Sequence, residues 1–282
     1  MNGGRVWLVG AGPGDPGLIT VRGIEALRDC DAVVYDRLVA PELVDEAPVD
    51  ALRVAREPLA QEEINRLLVG LARRGLDVVR LKGGDPFLFG RGSEEALALV
   101  DAGIPFEVVP GVSSLAAVPA AAGIPVTHRG LSSQVTIVNG HGPLDFAALA
   151  AAPGTLVAFM SLGRLDELAA GLIEHGRDAS TSAAVIASGT LPAQRIAVAP
   201  LERIAAAAED FDPPALVVIG DVVALAGSLA PPPPDRGHLS IAGARPLNKE
   251  VCRLRSGEVG VDTASSLGSV QSDAPVPASR SG

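Results

Sequence analysis

Short apolar runs rich in valine punctuate the first part of the chain, at residues 5–10 (RVWLVG), 31–35 (DAVVY), 77–81 (DVVRL) and 106–109 (FEVV). Such runs, with little polar alternation, are expected of strands buried on both faces of a parallel sheet. Between them, over Leu18 to Arg28, Glu62 to Arg74 and Ser93 to Ala102, apolar residues recur three and four apart while Glu and Arg take the other face. That is the pattern of amphipathic helices, and its alternation with the strands predicts an α/β fold with a mostly parallel sheet. A second series follows Pro110-Gly111, with strands predicted at 134–138, 155–159, 183–187, 195–198 and 216–219 and helices at 145–151, 164–175 and 201–209. The expectation is two α/β lobes with mostly parallel sheets, residues 1–110 and 111–230, with the active site in the cleft between them. From Pro231 a PPPP run opens a stretch rich in Ser, Gly, Ala and Pro that lacks Phe, Trp and Tyr. Its apolar side chains are too sparse to offset the entropy of ordering, so residues 231–282 are expected to form a disordered tail.

Composition removes several function classes. A chain of 282 residues that is 48% hydrophobic can bury a sizeable core. The formal charge of −10, with Lys82 and Lys249 the two lysines, argues against a general nucleic-acid binder, which needs a basic face. No apolar run is long enough to span a bilayer, and the chain starts straight into a strand without a basic segment and an apolar stretch, so a cytoplasmic protein is expected. Cys30 and Cys252 stand far apart and outside any Cys/His pattern, so neither a disulfide framework nor a metal site is expected.

Two glycine-rich turns are the candidate chemistry. Gly10-Ala11-Gly12-Pro13-Gly14-Asp15 follows a predicted strand and precedes a helix, where glycines let a backbone approach a ligand. It imitates a dinucleotide fingerprint, and Asp36 imitates the acid that holds a ribose. The imitation fails, because the third fingerprint glycine falls at Asp15 and Pro13 stiffens the turn. The second turn lies within Arg80-Leu81-Lys82-Gly83-Gly84-Asp85-Pro86-Phe87-Leu88-Phe89-Gly90-Arg91-Gly92-Ser93-Glu94-Glu95, where a strand ends in paired glycines and an Asp-Pro turn before a helix with acids in its first turn. As bare chemistry such a loop is more often a turn and a capped helix than a ligand grip.

VWLVGAGPGDPGLIT, DAVVYDRLV, QEEIN, VVRLKGGDPFLFGRGSEEA, GIPFEVVPGVSS and AGIPVTHRGLSS resemble successive blocks of the uroporphyrinogen-III C-methyltransferases, in family order and at nearly family spacing. The blocks cover most of residues 5–141, and a weaker likeness continues through FMSL, ASGT and PPALVVIGDVV to about Val223. The resemblance implies two α/β domains of the tetrapyrrole methylase kind in a homodimer, with S-adenosylmethionine bound in the interdomain cleft. It implies two methyl transfers to uroporphyrinogen III, giving precorrin-2 and S-adenosylhomocysteine. Pro13, Gly83, Gly84, Asp85, Leu88, Ser113, Ser114, Met160 and Gly189 are thereby implied to line the cofactor site, although Met160 has a plainer reading as core filler and Gly189 as a loop turn. The family's substrate carries eight carboxylates, for which planar arginine forks are suited, and the implied partners are Arg91 and Arg129. His141, in Asn139-Gly140-His141-Gly142, reads equally as a substrate contact and as a loop histidine.

A base that takes a pyrrole N–H proton would push electron density onto the ring carbon, a role the family pattern suggests for Asp36 or Glu94. Asp36 reads alternatively as an ion-pair partner of Arg37, and Glu94 as a helix N-terminal acid. One departure from the family is large: the loop before QEEIN is shortened, and Arg56 stands where the family has a lysine that can give up a proton. Asn139 and Ser161 are lesser departures, at positions where the family has threonine and glycine. Two rivals stand beside the main reading: a methylase of a later corrin precursor, and a tetrapyrrole- or nucleoside-binding homologue impaired in catalysis.

Overall fold

A computed structural model describes residues 4–229. The expectation of a tail at 231–282 lies outside the described residues.

The first lobe alternates strand and helix along the chain: β1 (Val6–Gly10), α1 (Val21–Arg28), β2 (Ala32–Tyr35), α2 (Pro41–Val44), β3 (Leu52–Ala55), α3 (Gln61–Arg73), β4 (Val78–Lys82), α4 (Gly92–Asp101) and β5 (Phe106–Val109). The strands form one five-stranded sheet in the order β3-β2-β4-β1-β5. Every pairing in it is parallel. Each face is covered by helices, as the valine-rich runs require: Val9, Val33, Val79 and Leu81 pack with Ile24 and Leu27 of α1 and Leu43 of α2. Leu8, Val34 and Val78 pack with Ile64 and Leu68 of α3 and Leu99 of α4. At about 25 cal/mol per Å² of apolar surface removed from water, these two layers are the main source of the lobe's stability. Two elements gave no apolar signal in sequence. The strand β3 is a half-exposed edge strand of sequence LRVA, and α2 is a single turn starting at Pro41.

The second lobe comprises α5 (Ser114–Ala121), β6 (Val135–Asn139), α6 (Phe146–Ala151), β7 (Thr155–Phe159), α7 (Leu165–Glu174), β8 (Ser182–Ala187), β9 (Arg195–Pro200), α8 (Ile204–Ala207) and β10 (Ala215–Ile219). Its five strands lie in the order β6-β7-β10-β8-β9. Here the expectation of a mostly parallel sheet is corrected: β6 and β7 are parallel, while β7–β10, β10–β8 and β8–β9 are antiparallel. The short connection from Ala187 to Arg195 holds no crossover helix, and without one consecutive neighbours run antiparallel. Apolar runs carry no information on direction, so the sequence pattern could not separate the two cases. The helix α5 packs Val118 onto this second sheet, against Val157, Ile186 and Leu216.

Candidate active site

The carboxyl ends of a parallel sheet are where loops can gather around a ligand. All five ends in the first lobe do so, contributing Pro13 after β1, Asp36 after β2, Arg56 after β3, Gly83 after β4 and Ser113 after β5 to one cleft. The second lobe closes it with His141, Met160, Ser188 and Gly189, and the enclosed volume is about 1420 Å³. This exceeds the usual range of about 300–1,000 Å³ for a single small-molecule pocket.

The two glycine turns are stitched to each other. Gly12 N–H donates to Gly84 O at 3.3 Å and Gly84 N–H to Gly12 O at 2.7 Å. A Cβ on Gly111 would run into the Gly84 carbonyl oxygen, so these glycines serve backbone-on-backbone packing at the foot of the cleft. Asp85 fastens the same junction: its Oδ2 accepts from Gly111 N at 3.1 Å and its Oδ1 from Phe87 N at 2.9 Å. Gly83 is differently placed, with Leu38 Cβ at 3.6 Å as the contact its own Cβ would make, so it leaves backbone open toward the cleft.

Strand parity puts a charged network under Asp36. Side chains alternate faces along a strand, so Arg80 and Lys82 share a face with Val78, toward α3 and α4, while Val79 and Leu81 face α1. There Arg80 Nε and Lys82 Nζ both donate to Glu95 Oε1 of α4, at 3.0 and 2.9 Å, and Gln61 Nε2 of α3 donates to the same oxygen at 3.2 Å. Val34 lies opposite Arg80 in the β2–β4 register, which brings Asp36, two residues on, to the Arg80 guanidinium: Nη2 donates to Asp36 Oδ1. Arg80, Lys82 and Glu95 are buried, whereas Asp36 retains 21% exposure at the cleft. Burial, and then the charge of Arg80, pull the Lys82 ammonium below its ordinary pKa. None of Arg80, Lys82, Glu95 or Gln61 was singled out in the sequence as a site residue. The available signal was two charges at alternate positions of an otherwise apolar strand.

The second lobe builds its side from backbone. Met160, Ser188 and Thr190 have φ of 51°, 50° and 72°, and Phe89 and Arg91 across the cleft have 53° and 58°. These are the described non-glycine residues in the left-handed region, and their gathering at one place marks it as functional. The lobes touch where Asp15 N–H donates to Thr190 Oγ1 at 3.1 Å and where Phe89 meets Phe159 edge-on at 5.2 Å between centroids. A Cβ on Gly189 would lie 2.5 Å from Val118 Cγ1, so only glycine permits the approach of this turn to α5.

Of the residues expected at the site, Pro13, Asp36, Arg56, Gly83, Gly84, Asp85, Leu88, Arg91, Ser113, Ser114, His141, Met160 and Gly189 line the cleft. Met160 is 38% exposed there and is not core filler. Ser113 also caps α5, its Oγ accepting from Leu115 N at 3.1 Å. His141 sits in a loop tied by its own N–H to Asn139 Oδ1 at 2.9 Å, which accounts for asparagine at that position. Arg56 Nε is buried without a hydrogen-bond partner among the described residues. Two of the expected residues lie outside this lining. Arg129 lies on an exposed turn between His128 and Ser132 and does not line the cleft, because the His128–Ser132 bridge turns the chain outward. Glu94 is half-exposed, outside the lining, and gripped by Arg91 through Nε at 2.9 Å and Nη2 at 2.7 Å. That hydrogen bonding holds the Glu94 carboxyl below the ordinary range. Asp36 is paired with Arg80, not with Arg37, the partner of its alternative reading. Among the described residues no group of His, Cys, Asp and Glu is arranged to hold a metal ion, and no helix is long and apolar enough to cross a membrane.

Residues 5–205 match the profile of the Tetrapyrrole (Corrin/Porphyrin) Methylases. Siroheme synthase of Sodalis glossinidius is 48% identical over 235 residues, which are 79% of this chain and 50% of that protein. The chain thus spans about half the length of the curated relatives it matches. A crystal structure of uroporphyrin-III C-methyl transferase from Thermus thermophilus, complexed with S-adenyl homocysteine, superposes with a TM-score of 0.71 at 43% identity, covering 79% of this chain and 100% of that one. The X-ray structure of a cobalt precorrin-4 methyltransferase, a cobalamin biosynthetic enzyme, gives a TM-score of 0.73 at 28% identity over 78% of this chain and 95% of that one.

Proposed function

The chain belongs to the tetrapyrrole (corrin/porphyrin) methylase family, and on that premise we propose that it is a uroporphyrinogen-III C-methyltransferase, using two S-adenosylmethionine molecules to make precorrin-2. The reading is carried by the likeness to the Thermus thermophilus methyltransferase, the whole of which this chain covers. The cleft chemistry agrees with it. Bound S-adenosylmethionine supplies an electrophilic methyl group on a sulfonium. Gly83 and Gly84, Ser113 and Ser114, and Met160 and Gly189 line the cleft with backbone groups, hydroxyls and a soft thioether, which hold a sulfonium without attacking it. Pro13, Asp85 and Leu88 complete that wall.

Asp36 is the base in this reading. Its carboxylate takes the proton of a pyrrole N–H, the freed electron pair passes through the ring to the carbon, and that carbon forms its bond to methyl as the S–C bond breaks and leaves its pair on sulfur. Arg91 and His141 face the substrate, Arg91 through the nitrogen that Glu94 does not occupy. Arg56 keeps a cation in the cleft. Fixing donor and acceptor in line supplies a large share of the acceleration. A homodimer is supported by Leu97 and Val100, apolar side chains left exposed three residues apart on α4, and by Phe87, exposed on the loop before that helix. A cytoplasmic location rests on the sequence expectation.

The test is incubation with freshly reduced uroporphyrinogen III and isotopically labelled S-adenosylmethionine, followed by mass analysis of the oxidised product. Two added methyl groups per macrocycle are expected. Tight binding of S-adenosylhomocysteine with no label transferred would favour a binding protein instead.

A further inference from the structure

We propose that Arg80 is the positioning residue for Asp36, and that Glu95 holds Arg80 in that role. The inference rests on the reading of Asp36 as the base. Arg80 is 1% exposed, and each of its nitrogens is engaged. Nε donates to Glu95 Oε1 at 3.0 Å, Nη1 to the carbonyls of Val34 and Leu81, both at 3.3 Å, and Nη2 to Asp36 Oδ1. The plane of the guanidinium is therefore set by two strands and a helix. With Oδ1 of Asp36 held, its carboxylate no longer rotates freely, and Oδ2, which accepts no hydrogen bond from the described residues, is left as the proton acceptor at the cleft. The rotational freedom is given up on folding and not at the moment of reaction.

Charge balance explains why Glu95 belongs to the device. Arg80 and Lys82 are like charges on one buried face, and Glu95 Oε1 accepts from both. With Asp36 ionised, the network contains two cations and two carboxylates. Uptake of a proton by Asp36 leaves the network with one net positive charge, so the cations oppose holding that proton and it is held only transiently, and Glu95 limits the imbalance to a single charge.

The experiment measures melting, S-adenosylhomocysteine affinity by calorimetry, and kcat and KM with uroporphyrinogen III for Arg80→Gln, Arg80→Lys and Asp36→Asn in the full chain. Arg80→Gln should lower kcat roughly 100-fold, and Arg80→Lys, which keeps a cation beside Glu95 but lacks the second arm, about 10-fold, with affinity and KM within about twofold of wild type. Should Arg80→Gln not fold, Arg80→Lys carries the same split. An unchanged kcat, or a kcat loss matched by parallel losses in affinity and KM, overturns the proposal and leaves Arg80 as a structural ion pair. A normal rate for Asp36→Asn removes the base assignment itself. A slow Asp36→Asn beside a normal Arg80→Lys removes only the role of Arg80.

Discussion

In the first lobe, the ends of β2 and β4 at the cleft rest on charged side chains buried against one another; in the second lobe none of the buried polar residues among those described is charged. The second lobe uses three left-handed residues, Met160, Ser188 and Thr190, facing Phe89 and Arg91 of the first, together with a glycine that permits close approach to α5, and a thioether. Both devices are costly. Burying an ion costs several kcal/mol unless it is fully paired, and a non-glycine residue in the left-handed region costs about 1–3 kcal/mol. In the proposed reaction the two devices answer different requirements. Asp36 would take its proton where fixed charges set the acceptor, while the methyl donor would meet Met160 and Gly189 of the second lobe and the Gly83–Asp85 loop of the first.

The comparison breaks most visibly at Asp36. Asp36→Asn should reduce kcat by about 10²- to 10⁴-fold, the usual worth of a general base, while S-adenosylhomocysteine binding stays at its wild-type value by calorimetry. Next comes Arg91, on the substrate side: Arg91→Leu should lower kcat/KM for uroporphyrinogen III roughly 10- to 100-fold, the equivalent of about 1.5–3 kcal/mol for a charge-assisted hydrogen bond, with cofactor affinity unchanged. Gly189→Ala tests the second lobe. Its new Cβ would meet Val118 at 2.5 Å, and the overpacking, about 1–3 kcal/mol, should appear as weaker S-adenosylhomocysteine binding and a lower Tm.

Smaller effects sharpen the boundary between the lobes. Asp85→Ala removes the acceptors of Gly111 N and Phe87 N, so the loop Gly83–Asp85 should loosen and cofactor affinity should drop by about tenfold, more than stability does. Unchanged affinity in a folded Asp85→Ala protein would detach that loop from the cofactor. Arg129→Leu should be silent in steady-state kinetics, because Arg129 lies off the cleft; a rate loss comparable to that of Arg91→Leu would return it to the site.

Much of the first lobe is legible because buried parallel strands have a composition of their own: RVWLVG, DAVVY, DVVRL and FEVV each mark a strand to within one residue at either end. The second lobe is legible in the existence of its strands but not in their direction, since antiparallel and parallel partners bury the same apolar side chains. At the site, motif likeness gathers residues such as Gly83, Ser113 and Met160 that lie on different strand ends. It misplaces Arg129, because the turn between His128 and Ser132 is fixed by backbone bonding that the sequence does not display. It also passes over Arg80 and Glu95, whose meeting depends on strand parity combined with the packing of α4 across β4. In sequence they are ordinary charges fifteen residues apart.

The division between the lobes is tested most directly by measuring S-adenosylhomocysteine dissociation constants and single-turnover methyl transfer on the same preparations of Asp36→Asn and Gly189→Ala. The account predicts a crossed result: Asp36→Asn binds as wild type and transfers at least about 100-fold more slowly, whereas Gly189→Ala binds more weakly and, once saturated with S-adenosylmethionine, transfers within about threefold of wild type. If both variants lose binding and transfer together, or if Asp36→Asn transfers at the wild-type rate, the division of labour is wrong.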